Sequence, residues 1–222
     1  MLQGVELVEY SGKLIVFEGP DGAGKTTQVK LAAERLQRQG YSVVMTREPG
    51  GTRLSEVIRQ VLLDPGNREM SPVTEALLYA GARSQLVAEV ILPALASGKI
   101  VLCDRFVDSS LAYQGFGRGL DLEMLRQVNR FALNGLGRFC TIFLDLPPEE
   151  GLKRGNKRKR DRLEQEDLAF HRRVWEGYHL LIKEYPERIR VVDASSQPEA
   201  VHRQIWKHLS AFLKGSHQGG VF

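Results

Sequence analysis

Apolar runs are short throughout this sequence. None approaches the roughly 20 consecutive residues that span a bilayer, and the opening MLQGVELVEYSGKLIVF has no basic start followed by a long apolar core. The expectation is a soluble, cytoplasmic protein with no membrane partner. Cysteine is scarce as well. Cys103 and Cys140 lie far apart, with neither a Cys-x-x-Cys pair nor a Cys/His spacing that would suit zinc. Each sits beside an apolar run, as a small buried residue does in a reducing compartment. Charge is nearly balanced, 31 Lys and Arg against 27 Asp and Glu, which is too slight an excess to argue for a nucleic-acid partner, and none is expected. No stretch rich in Pro, Gly or Ser divides the chain, and no internal repeat is present. The 222 residues, 42% apolar and 26% charged, fit one domain around one sizeable core. Its expected extent is 13–213, with a short extension at 1–12 and a flexible tail at 214–222.

What the chain does have is five short apolar runs: KLIVFEG (13–19), YSVVMTREP (41–49), KIVLCDR (99–105), CTIFLDLP (140–147) and RIRVVDA (188–194). Several are continuously apolar rather than alternating, as strands buried on both faces must be. Helix-like segments at 24–39, 53–63, 71–97, 121–135, 147–155, 164–184 and 197–213 separate them. Ser71-Pro72 opens the long segment with a cap-plus-proline signal, and Pro93 lies near its end. This order predicts an α/β fold in which helices flank a five-stranded parallel sheet as a three-layer sandwich.

Between the first strand and the first helix, Gly19-Pro20-Asp21-Gly22-Ala23-Gly24-Lys25-Thr26 satisfies G-x-x-x-x-G-K-[ST]. Its glycines let backbone N–H groups converge on an anion at a helix N-terminus. Lys25 would reach the β- and γ-phosphates of a nucleotide, and the Thr26 hydroxyl would ligate Mg²⁺. Asp21 is the odd member, a carboxylate inside an anion cradle. A guanine switch would need an Asn-Lys-x-Asp motif. The Asn-Lys at 156–157 lacks the Asp.

The second strand leads into a Gly-Gly turn with Arg47, Arg53 and Arg59 in and beyond it. Tyr79 and Arg83 are four apart and share a helix face, an aromatic and a guanidinium suited to holding a base. The third strand ends in DRFVDSSLAYQGFGRG (104–119). Asp104 there can hold Mg²⁺ through water, and Arg105 can clamp a phosphate. Ser110, Tyr113 and Gln114 offer hydroxyl and amide groups to a base, a Gly-rich loop is expected to follow, and Asp108 or Ser109 could cap a helix. The segment 152–167 carries Lys153, Arg154, Lys157, Arg158, Lys159, Arg160 and Arg162. It reads either as a solvated or nucleic-acid-binding face or as an arginine-rich lid that neutralises charge during phosphoryl transfer.

GPDGAGKTT, TREPGGT, YAGARSQL, DRFVDSSLAYQG and DRLEQE, in this order and spacing, resemble the bacterial thymidylate kinases over roughly residues 13–213. The resemblance implies a P-loop nucleoside monophosphate kinase fold with a short basic lid at about 151–163, ATP and Mg²⁺ on the donor side, dTMP as acceptor, dTDP as product, and a homodimer. It implies that residues 19–26 hold the donor phosphates and that Arg47 and Arg105 approach the dTMP phosphate with Arg59 nearby. Tyr79 would stack on thymine, Arg83, Ser110 and Gln114 would read its edge, and Tyr113 would pack against C2′ of the sugar. Asp21 would face the 3′-hydroxyl side. Some family members carry an arginine in the cradle where this chain has Gly22. The catalytic arginine is then expected from the lid, as Arg158 or Arg160, acting with Lys25, Asp21 and Arg105. The rival readings are a deoxynucleoside kinase, another monophosphate kinase, or a nucleic-acid-binding ATPase module.

Overall fold

Strand β1 (Lys13–Glu18) occupies the centre of a five-stranded sheet in the computed structural model, which describes residues 10–155 and 161–215. Beside it run β3 (Ile100–Asp104) and β4 (Phe139–Asp145), with β2 (Val43–Arg47) and β5 (Ile189–Asp193) at the edges, every pair parallel. Composition accounts for this order. The continuously apolar runs take the central places, where both faces are covered, whereas β2 and β5 leave Met45 and Val191 exposed.

The two faces can be followed along β1 by its period of two. Ile15 and Phe17 pack with α1 (Lys25–Arg38) and α9 (Pro198–Leu213), through Leu36, Ile205 and Leu209. Leu14 and Val16 point the other way, toward α3 (Pro72–Leu86) and the helical run that follows it, through Leu86 and Ile91. A third cluster joins Tyr79, Leu111, Phe143 and Phe170 beneath α8 (Leu168–Glu184). The remaining helices are α2 (Arg53–Leu63), α4 (Leu92–Ala96), α5 (Val107–Ser110), α6 (Leu122–Leu133) and α7 (Pro148–Gly155).

The helix expected over 164–184 starts only at Leu168, behind the Asp167 cap, and the sequence expectations shift in three further places. The strand expected over 41–49 is confined to Val43–Arg47, because Glu48 and Pro49 already belong to the turn. The helix expected over 71–97 runs without a break but widens to a π-helical stretch at Val87–Ile91. That wide turn precedes Pro93, whose ring would collide with the carbonyl four residues back in a regular α-helix. The Gly-rich stretch after β3 is also helical, α5 passing into a second π-helical stretch at Leu111–Gly117. Both cysteines are unpaired and buried, and no helix among the described residues is long and apolar enough to cross a membrane.

Candidate active site

The cradle leaves the carboxyl end of β1, where a parallel sheet presents its ligand crevice. Gly24 closes it in a left-handed conformation (φ 89°) as the residue before α1, so that the helix N-terminus faces into the loop. Lys25 is buried and donates from Nζ to the carbonyls of Gly19 (3.0 Å) and Pro20 (2.8 Å). Burial and the nearby Arg105 charge push its pKa down to about 8, against the pull of Asp21 and Asp104. Thr26 donates from Oγ1 to Oδ2 of Asp104 across 2.6 Å, uniting the two residues expected to serve a metal.

Gly22 has a structural reason to be glycine. It has φ 79°, and a Cβ there would lie 2.2 Å from the carbonyl oxygen of Gly151 in α7. A Cβ on Gly151 would likewise meet the Asp21 carbonyl at 2.1 Å. The cradle and the root of the basic segment therefore touch backbone to backbone. Gly151→Ala should separate them, at a stability cost of about 1–3 kcal/mol, the usual range for overpacking, and with a lower kcat. A thermal melt paired with steady-state kinetics checks this, and an unchanged Tm would contradict the contact.

Asp21 is not a lone carboxylate. Arg105 donates from one terminal nitrogen to Asp21 Oδ1 (2.5 Å), and the Tyr113 hydroxyl donates to Oδ2 (3.0 Å). Burial acts to raise the Asp21 pKa, but Arg105, Lys25 and the Tyr113 hydroxyl together hold it well below the usual carboxylate range. The other terminal nitrogen of Arg105 donates to Gly19 O (3.1 Å) and Ser109 Oγ (3.2 Å). Arg105 itself adopts a left-handed backbone (φ 68°), which costs a non-glycine residue about 1–2 kcal/mol. Its amide donates to Phe17 O at 2.9 Å and so ties that turn to the central strand.

Beneath this cluster lies Glu18, which was not singled out in the sequence. Its fully buried carboxylate accepts from the amides of Phe106 (2.8 Å) and Ser109 (3.1 Å), and from the hydroxyls of Ser109 (2.6 Å) and Tyr178 (2.8 Å). Burial, and then the nearby Asp108, raise its pKa. Glu18 thus caps α5 from outside the helix, which corrects the expectation that Asp108 or Ser109 is the cap. Asp108 instead forms a buried pair with Arg188 (2.7 Å to each oxygen) and accepts from Thr141. The available signal was a glutamate directly after the buried apolar run at 14–17.

Arg47, Arg59, Tyr79, Arg83, Arg105, Ser110, Tyr113 and Gln114, the residues expected around the acceptor, all line one cavity of about 930 Å³, together with Asp21, Lys25, Thr26 and Asp104. Arg53 opens α2 and does not line it. Arg47 is half exposed and bound to Glu56 (3.0 Å), while Arg59 donates to Pro49 O (2.8 Å). Arg83 is held firmly by Glu48, Asn129 and the Phe106 carbonyl. Burial lifts the Glu48 carboxyl to about 7 against the pull of Arg83. Ser110 Oγ is buried without a hydrogen-bond partner.

A second cavity of about 300 Å³ adjoins the other side of the cradle. Gly22, Ala23 and Gly24 line it together with Arg154 and the loop at 194–198. Arg154 donates to the carbonyls of Ala194 and Ser195 at 2.9 Å each. That loop carries no motif that sequence reading could have caught. Arg162, counted with the basic segment, turns inward to Glu75 (2.6 Å) and Leu62 O (2.9 Å). Arg158 and Arg160 lie outside the described residues.

The family model described as thymidylate kinase matches residues 17–205. A thymidylate kinase of Caldanaerobacter subterraneus subsp. tengcongensis is 51% identical over 205 residues, covering 92% of this chain and 98% of its own. That of Pelotomaculum thermopropionicum is 54% identical over 211 residues, with the same coverage of both chains. The crystal structure of thymidylate kinase from Ehrlichia chaffeensis is similar at a TM-score of 0.75 and 33% identity, covering 89% of this chain and 98% of that one.

Proposed function

The chain belongs to the thymidylate kinase family, and from that premise we propose how its own groups transfer the γ-phosphoryl of ATP to dTMP, giving dTDP and ADP. The observation that carries the proposal is the Asp21–Arg105–Tyr113 cluster. It lines one cavity together with Lys25 and Thr26 of the cradle and with Arg47 and Arg59. Arg105, helped by Arg47 and Arg59, holds the acceptor phosphate. One of its oxygens attacks the γ-phosphorus in line, and the bond to the β-phosphate oxygen breaks to release ADP. A phosphate dianion needs no general base, so catalysis is positioning together with charge neutralisation, by Lys25 and by Arg158 or Arg160 from the lid. Tyr79 supplies a stacking face for thymine and Arg83, Ser110 and Gln114 its polar edge. Tyr113, fixed by Asp21, crowds the sugar where a ribose hydroxyl would be.

The donor set fits Mg²⁺. A hydroxyl and one carboxylate in contact suit an ion that keeps most of its ligands as water and phosphate oxygen, and no cluster of three or more His, Cys, Asp or Glu suited to a metal occurs among the described residues. Thr26, with Asp104 through water, would hold the ion, which supplies further charge neutralisation on the phosphates. Chelation with EDTA should therefore abolish turnover, and Asp104→Asn should raise the Mg²⁺ needed for half-maximal rate by about tenfold, in line with measured losses around metal sites. An unchanged Mg²⁺ titration would remove Asp104 from this role. The 300 Å³ cavity is our candidate for the donor base, which the face of Arg154 and the backbone at 194–197 would hold.

Residues 13–213 form the kinase domain, and we assign it a cytoplasmic setting, where its two unpaired cysteines stay reduced. The homodimer implied by the resemblance has a candidate surface. Leu54, Val57 and Val61 on α2, Val73 and Leu77 on α3 and Phe131 on α6, the last 89% exposed, lie on helices that pack side by side. Leu77→Glu with Phe131→Glu should give a monomer by sedimentation, and a dimer in that variant would rule the surface out. For the reaction itself, product chromatography should find dTDP and ADP in equal amounts and no ADP without dTMP. Sustained acceptor-independent ADP would favour an ATPase.

A further inference from the structure

Glu75 lies in the first turn of α3, and its side chain is fully buried, a position that demands partners for both oxygens. Oε1 accepts from Gln114 Nε2 (2.9 Å) and Arg118 Nε (3.3 Å). Oε2 meets a terminal nitrogen of Arg118 (3.2 Å) and of Arg162 (2.6 Å). Arg118 is shared with Glu166 (2.6 Å), so two guanidiniums face two carboxylates, and the neutral Gln114 amide is the informative partner of Glu75. A carboxylate under two guanidiniums can only accept, so the amide must turn its NH₂ toward Glu75. The carbonyl oxygen of Gln114 is thereby turned away from Glu75, on a side chain that lines the acceptor cavity beside the unpartnered Ser110 hydroxyl.

We propose that Glu75 is a positioning residue for base selection: by fixing the Gln114 amide with its oxygen toward the cavity, it makes the site take a pyrimidine whose N3 carries a hydrogen and reject one whose N3 is a bare lone pair. The proposal rests on the acceptor-site reading given above. Thymine and uracil present carbonyl, N–H and carbonyl along that edge, and the N–H meets the Gln114 oxygen. Cytosine places an acceptor against an acceptor, and both are then buried unpaired. Arg83, a donor only, and Ser110, which can serve as either, do not by themselves decide the central position.

Replacement of Glu75 by glutamine should invert the arrangement. Arg162 and Arg118 would claim the new amide's oxygen, its NH₂ would face Gln114, and the Gln114 amide would turn over. The test is kcat/KM for dTMP, dUMP and dCMP, by ADP release, for the full chain and for Glu75→Gln, each also in a Gln114→Leu background. The dTMP-to-dCMP ratio should narrow by about 10- to 100-fold in Glu75→Gln, the range expected for one mispaired buried hydrogen bond. Adding Glu75→Gln to Gln114→Leu should leave the ratio unchanged. A purely structural role would lower dTMP and dCMP turnover alike. An unchanged ratio, or the same narrowing without Gln114, would overturn the proposal. Failure of the unmutated chain to use dTMP would overturn the acceptor-site reading beneath it. Should Glu75→Gln not fold, the side-chain amide of Gln114 in the unmutated protein decides by NMR. Slow hydrogen exchange that persists when dTMP binds is expected, and fast exchange would overturn the proposal.

Discussion

Arg105→Ala is expected to lower kcat/KM for dTMP by about 10³-fold, the scale seen when a positioned charge on a transferring or accepting oxyanion is removed. Arg105 makes contacts on every side of its guanidinium: Asp21, Tyr113, Ser109 and the Gly19 carbonyl. Its removal leaves Asp21 with only the Tyr113 hydroxyl and the charge of Lys25, the lysine that must meet the donor phosphates. The variant thus loses the acceptor clamp and gains a repulsive charge. Arg105→Lys keeps a charge but not the fork, so it should recover only part of the loss. The sign of the pH dependence follows. The folded-state pKa of Asp21 is depressed, so the pair contributes stability that is present above the unfolded carboxyl range, near pH 4, and is lost as pH falls below it. Near pH 7 the full loss should appear as a lower Tm in Arg105→Ala, whereas an equal Tm and an unchanged KM for dTMP would remove Arg105 from the acceptor site.

Replacing Arg158 and Arg160 together by alanine should cost about 10³–10⁵ in kcat while raising the KM for dTMP far less, as expected for a charge that acts in the transition state. The cradle cannot supply an arginine, because any side chain on Gly22 would strike the Gly151 carbonyl. At the ends of the basic segment, Arg154 is bound to the carbonyls of Ala194 and Ser195, and Arg162 to Glu75 and Leu62. The proposed mechanism assigns the transferred group to Arg158 or Arg160, and the single variants separate the two. Undiminished turnover in the double variant would remove the lid from the mechanism.

Much of the fold was legible because buried parallel strands need continuous apolar runs, and the cradle because its glycines and Lys25-Thr26 fall between a strand and a helix. The rest depended on long-range burial. Glu18 looks like a polar strand terminus until Tyr178, 160 residues away, closes over it. Glu75 looks like an ordinary first-turn acid of a helix, yet Gln114, Arg118 and Arg162 from two later segments make it a buried hub. The glycines after Gln114 read as a loop, but packing against α8 carries the helix through to Gly117. Arg162 reads as one more lid cation because charge runs give no clue to which member turns inward.

The most direct test is ADP release from ATP and Mg²⁺ across dTMP, dUMP, dCMP, AMP and thymidine. The account predicts the highest kcat/KM with dTMP and no stimulation by thymidine, which has no phosphate for Arg105, Arg47 and Arg59 to hold. No stimulation by dTMP, or equal stimulation by thymidine, would contradict it.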